Sequence, residues 1–411
     1  MKYRAAVLIL LALTGCGALR SRNPVPVDLL NQAEVPGFHD VRSWGDQINP
    51  RIQAHAVEIM RRWRDHANQP GTEFDPIGGS LLALSGGGAD GAFGAGVLCG
   101  WTAHGDRPTF NLVSGVSTGA LIAPFAFLGP AYDAPLKEIY TTTEAKDVVV
   151  VGGLFTIIGR VLRGDSLSDT TPLTKLVARY ITDETLAAIA AEHAKGRRLY
   201  VGTTHLDAQR VVIWDMGAIA SSGRPDALAL FRKVLVASAA IPGLFPPVYL
   251  DVEANGKKYD EMHVDGGATA EVFAYASVVD YSAAAREAGL TNRPPVRLYI
   301  VRNSLMRPEY AVTKPRIAPI TTRAVATLIK SQADGDIYRL YAIAQRDNLE
   351  FNLAAIPDEF QRKTEADFDK KEMNRLFDLG YKLASQGYPW EKTPRAYHWV
   401  LPEANVSLPA R

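Results

Sequence analysis

Cysteine is nearly absent: Cys16 and Cys99 are the only two in 411 residues. A disulfide framework is therefore excluded, and stability has to come from core packing. An excess of one charge is missing as well, with 45 Lys and Arg against 44 Asp and Glu. Without a basic surplus there is no electrostatic footprint for a phosphate backbone, so no nucleic-acid partner is expected. No apolar run approaches the roughly 20 residues that cross a bilayer as a helix. The stretch from Val148 to Ile158 is interrupted by Gly152 and Gly153 and reads as a buried segment rather than a lipid entrance. Histidines and acids do not fall at metal-ligand spacing and no calcium-loop pattern occurs, so neither metal nor cofactor is called for. No internal repeat or low-complexity tract is evident. What remains is 47% hydrophobic and 22% charged, the composition of a globular protein with a sizeable core.

The N-terminus carries the first functional signal. Lys2 and Arg4 precede a nine-residue apolar run from Ala5 to Leu13, which is the charged and apolar build of an export signal over residues 1–15. Leu13-Thr14-Gly15-Cys16 follows at once and resembles the lipobox of bacterial lipoproteins. That resemblance implies a lipidated Cys16 as the new N-terminus, a membrane held through the lipid anchor, and a place in the bacterial cell envelope. Gly17, where Asp would signal retention, points to the outer membrane if the cell is Gram-negative. Residues 16–48, with Pro24, Pro26 and Pro36, read as an irregular tether. Residues 49–411 are then one domain. Asn49-Pro50 supplies a cap and a first-turn proline, and Ile52, Ala56, Ile59, Met60 and Trp63 recur at helical spacing. The arginines on the other face (Arg51, Arg61, Arg62, Arg64) read as a solvated face.

Beyond residue 80 the pattern changes. Short β-rich runs at Leu81–Leu84, Asn111–Val113, Leu199–Gly202, Val211–Trp214 and Val296–Val301 are separated by helical stretches. This is the pattern of an α/β fold whose mainly parallel sheet is covered by helices on both faces. Residues 321–387 read as helical and complete the same domain.

The sharpest constellation starts where the strand Leu81–Leu84 runs into Ser85-Gly86-Gly87-Gly88-Ala89-Asp90-Gly91. Successive glycines let backbone N–H groups converge at a helix start, a nest for an oxyanion or a phosphate. Gly86, Gly88 and Gly91 also fit a dinucleotide fingerprint, with Asp106 at 20 residues. Yet Asp106 lies in a loop before the next strand instead of at a strand end, which weakens that reading. The next strand leads into Gly115-Val116-Ser117-Thr118-Gly119. Flanking glycines at Gly115 and Gly119 permit the sharp elbow that lifts a serine hydroxyl clear of the sheet, making Ser117 the candidate nucleophile.

A glycine loop, this elbow, Ala237–Val248 with its small residues and prolines, and Val264-Asp265-Gly266-Gly267 stand in one order, and together they resemble the patatin-like phospholipase family. The resemblance implies a three-layer α/β/α sandwich and a serine acyl hydrolase acting on lipid or other acyl esters. It implies Ser117 and Asp265 as a catalytic dyad and the Gly86, Gly87 and Gly88 amides as the oxyanion hole. A Ser/Asp/His arrangement using His263, His398 or His205 is the mechanistic rival. Asp90 departs from the family, whose loop usually carries a basic residue there; pairing with an arginine or capping the next helix are its ordinary roles. Cys99 reads as a small buried hydrophobe. The reading of a different class is a membrane-anchored lipid-binding or structural lipoprotein with weak or no activity.

Overall fold

The computed structural model describes residues 22–67, 79–148, 150–151, 168–274, 279–290, 296–364 and 368–395. The signal segment, Cys16, most of the Val148–Ile158 run and His398 lie outside the described residues.

Among the described residues nine strands form the main sheet: β1 (Arg42–Trp44), β2 (Ser80–Leu84), β3 (Leu112–Gly115), β4 (Arg198–His205), β5 (Arg210–Asp215), β6 (Val248–Ala254), β7 (Lys257–Asp265), β8 (Val296–Leu305) and β9 (Leu349–Ile356). The order β9-β8-β2-β3-β4 is parallel throughout. The remaining strands add antiparallel, β5 and then β1 on one path and the β6–β7 hairpin on β4. The expected α/β architecture with a mainly parallel centre is therefore present.

Its layers follow from the strand sequences. In β2 alternate residues feed opposite cores: Leu82 and Leu84 face one, Leu81 and Ala83 the other. The first core is closed by α2 (Gly91–His104), α3 (Thr118–Leu128), α4 (Ala227–Ser238) and α6 (Lys370–Ser385), through Phe93, Phe127, Phe231 and Phe377. The second is closed by α1 (Pro50–Ala67) and α5 (Ile317–Arg346), through Ile52, Met60, Ile337 and Leu340. A strand buried on both faces has no reason to alternate, and the near-continuous apolar runs reflect that. Asn49 caps α1 as its sequence suggested, its Oδ1 accepting the N–H of Arg51 and Ile52 at 2.9 and 3.1 Å.

Two parts of the sequence reading change. Residues 22–48 are not an irregular tether: β1 pairs with β5, Glu34 bridges Glu253, and Arg22 reaches Asp207 and Asp260. Within 321–387, Leu349–Ile356 is an edge strand; its Ala-rich run lacks alternation because both faces are buried. The hairpin carrying Asp265 turns at Asn255-Gly256, both at positive φ (47° and 71°), the two-residue turn that matches strand twist.

Candidate active site

The parallel strands all end toward one edge of the molecule, and the chemistry collects there. β3 feeds Ser117 into a backbone of φ 54° and ψ −125° at the start of α3. A non-glycine residue held at such angles is strained, and the surroundings must impose it. Gly119 is the reason the helix can press in: a Cβ there would stand 2.4 Å from the Leu84 carbonyl oxygen. Ser238, at the end of α4, ties the elbow down, accepting the Ser117 N–H at 3.0 Å and donating to the Gly202 carbonyl at 2.7 Å.

Asp265 ends β7 opposite Thr203 of β4. Its Oδ1 accepts the Gly267 N–H at 2.8 Å, while Oδ2 is buried without a hydrogen-bond partner. Burial pushes this carboxyl up, and the neighbouring Ser117 hydroxyl and the Gly267 amide pull it part of the way back, leaving it at about 7. Ser117 thus favours the ionised form without closing a hydrogen bond onto Oδ2. A carboxyl poised near neutrality beside a serine hydroxyl can exchange a proton at neutral pH.

The glycine loop lies alongside, with one difference from its reading in the sequence. The Gly86 N–H is not free: it donates to the Glu271 carbonyl at 3.1 Å. Gly87 and Gly88, at φ 145° and 56°, donate to no carbonyl or side chain among the described residues, so two amides remain for an oxyanion. The loop is held by Asn303, just past the parallel run of β8. Its Nδ2 donates to the Ser85 carbonyl and its N–H to Ser85 Oγ, both at 2.8 Å, and its Oδ1 accepts from Gly94 at 3.1 Å. Gly87 passes so close that a Cβ would sit 2.0 Å from the Asn303 carbonyl oxygen.

Glu271 is a second buried carboxyl that motif reading missed. A Cβ on Gly86 would fall 2.3 Å from its Oε1, and one on Gly267 2.1 Å from its Oε2, so the side chain fills the space between the two glycine turns. Asp336 Oδ2 accepts its N–H at 2.8 Å. Burial first, then the charges of Asp265 and Asp336, drive its carboxyl well above the usual range, against a smaller pull from Arg302. That direction favours the protonated form of Glu271. Only a match of the segment to its spatial neighbours could have found it, since its partners are remote in sequence.

The histidines are placed elsewhere. His263 is fully buried, and because the Glu261 carboxylate beside its Nε2 can only accept, the neutral ring is left to accept the Thr203 hydroxyl at Nδ1 (2.9 Å). Its Nε2 then carries the proton and donates to Glu261 at 3.1 Å. Burial lowers it to about 4 despite the Glu261 contact, so it is neutral and fixed in a structural network. His205 Nδ1 accepts the Ala208 N–H at 3.2 Å in the same cluster. Asp90 pairs with Arg362, whose Nη1 lies 2.9 Å from Oδ1, and makes no side-chain cap to α2. The basic charge that the family places in the loop is thus brought from 272 residues away. Asp106 sits in the loop after α2, bonded to His104 at 2.7 Å, as a dinucleotide site would not have it. Burial pushes the Cys99 thiol to about 12, which leaves it inert.

Residues 82–276 match the model of the patatin-like phospholipases. Over that segment the chain is similar to the patatin-like phospholipases. The match spans the glycine loop, the elbow, the Ala237–Val248 segment and Asp265. No curated protein matches. Among solved structures, VipD from Legionella pneumophila is similar at 16% identity, covering 75% of this chain and 66% of its own, with a TM-score of 0.37. Human GIVD cytosolic phospholipase A2 is similar at 10% identity, over 86% of this chain and 64% of its own, with a TM-score of 0.40. The chain thus spans just under two thirds of the length of each. The matched segment contains both Ser117 and Asp265, which the fold brings to one end of the sheet.

Proposed function

We propose that the protein is a serine acyl hydrolase that cleaves carboxylic esters of lipids, anchored in the bacterial envelope through Cys16. The observation that carries this reading is the buried Asp265 carboxyl, raised to about 7 beside the Ser117 hydroxyl. Ionised Asp265 takes the Ser117 proton as Oγ attacks the ester carbonyl. The carbonyl π electrons move to oxygen, and the Gly87 and Gly88 amides receive that oxyanion at the mouth of the glycine loop. Collapse expels the alcohol, which takes the proton from Asp265, and leaves an acyl-Ser117. Water, deprotonated by Asp265, then releases the carboxylic acid and restores the serine. No histidine is needed in either step.

The test is turnover of a short p-nitrophenyl ester series by the parent, Ser117→Ala, Asp265→Asn and His398→Ala, with folding checked by circular dichroism. Loss in the first two variants with retention in His398→Ala supports the dyad. A parent inert on these esters and on phospholipid micelles would move the lipid-binding lipoprotein reading ahead.

A further inference from the structure

The sheet end that holds the site also collects exposed apolar side chains. Of the large hydrophobics exposed in the described residues, Tyr310, Val312, Ile317, Ile320 and Leu328 fall within one stretch, the loop after β8 and the first turns of α5. Exposed aliphatic and aromatic groups clustered in this way mark an interaction surface. The same stretch, residues 306–333, contains five Lys and Arg against one acid, Glu309. Glu309 is already engaged by Lys330 and Arg362, each at 3.0 Å. Lys314 and Arg316 are exposed and make no ion pair among the described residues. Apolar groups interleaved with unneutralised cations fit an anionic lipid surface.

A second copy of the chain fits poorly. An isologous contact would bring this cationic face against itself, opposing Lys314 and Arg316 with their own equivalents.

Position argues the same way. Arg362 joins Glu309 to Asp90 at the end of the glycine loop, so the stretch borders the oxyanion donors. Arg22 sits at this same end, paired with Asp207 in the turn after β4, where Leu206 is also exposed. Arg22 is only six positions past Cys16, at most about 20 Å of extended chain. A lipid on Cys16 would therefore hold this end, and not the opposite one, against the bilayer.

We propose that the loop Arg307–Arg316 and the first turns of α5 are the face that seats the protein on an anionic bilayer. Tyr310, Val312, Ile320 and Leu328 enter the acyl boundary while Lys314 and Arg316 meet headgroup phosphates. The proposal builds on the lipid-ester reading of the site, which it supplies with a route from bilayer to Ser117. Its test uses the chain from residue 16 with Cys16→Ser, so that no acyl anchor contributes, floated with phosphatidylcholine vesicles with and without phosphatidylglycerol. Binding is expected only with phosphatidylglycerol and is expected to weaken as salt rises. Lys314→Glu with Arg316→Glu should reduce it by at least about tenfold, and Ile320→Ser with Leu328→Ser by a similar factor. Turnover of a soluble short-chain ester should be unchanged in both double variants. Vesicle binding unaffected by these substitutions, or a parent that fails to bind anionic vesicles, would overturn the proposal. A parent that dimerises until the same substitutions separate it would also overturn it, in favour of a second copy. Loss of vesicle binding in the variants of a parent inert on every ester would sink the hydrolase reading and leave the surface standing.

Discussion

Strand β7 offers a controlled comparison within one molecule. Glu261, His263 and Asp265 lie at alternate positions, so they share a face, and all three are buried. Burial pushes both carboxyls up. At Glu261, the Arg42 guanidinium, the nearby His205 ring and the hydrogen bond from His263 overcome that and hold it well below the usual carboxylate range. At Asp265 no cation answers, and the carboxyl stays at about 7. Four residues apart, equal burial gives a permanently ionised strut and a titrating base. The partner decides the role.

The comparison breaks if the two carboxyls respond alike to removal. Asp265→Asn and Ser117→Ala should each lower kcat by roughly 10⁴-fold or more, read from ester turnover. Asp265→Asn should also raise stability at pH 8. The sign follows from linkage: a carboxyl whose folded value lies above its ordinary 3.8 favours the protonated folded state. Its contribution to stability declines as pH rises through the interval up to about 7, and the neutral amide escapes that decline. Glu261→Ala should do the reverse, costing about 3 kcal/mol in urea unfolding because the half-buried Arg42 loses its carboxylate and keeps only its hydrogen bond to the Ala33 carbonyl. Its folded fraction should keep far more activity than Asp265→Asn does.

The glycine loop supplies the next contrast. Asn303→Ala removes two side-chain hydrogen bonds, to the Ser85 carbonyl and from the Gly94 N–H, without touching Ser117 or Asp265. A loop displaced by an ångström should cost about 10²-fold in kcat with little change in KM.

The smallest expected effect is at Glu271. Because its surroundings favour the protonated form, which an amide resembles, Glu271→Gln should leave turnover near pH 7 almost unchanged. At alkaline pH the parent should lose activity as Glu271 ionises beside Asp265 and the oxyanion amides. Arg302 and Asp336, which also face it, are retained in the variant. The variant's pH profile should lack that fall, a readout that a purely structural role would not move.

What was legible in the sequence was what is local. The glycine loop, the Ser117 elbow and the Asp265 turn each work through contiguous residues, and strand-loop-helix alternation sufficed for the layers of the fold. What escaped is non-local. Ser238 bonds across 121 positions and Asn303 across 218, and neither spacing leaves a pattern. Gly86 illustrates the limit of motif reading: the residue belongs to the loop, but the Glu271 carbonyl has taken its amide. Docking of residues 22–48 was missed because a three-residue edge strand carries too little periodicity to stand out.

The central claim is that Asp265, titrating near neutrality, activates Ser117. It is tested most directly by the rate of fluorophosphonate labelling across pH, with the adduct mapped by mass spectrometry. The account expects the label on Ser117, a rate that falls about tenfold per pH unit below a midpoint near 7, and loss of that midpoint in Asp265→Asn. Labelling at another residue, or a midpoint that survives in Asp265→Asn, would contradict it.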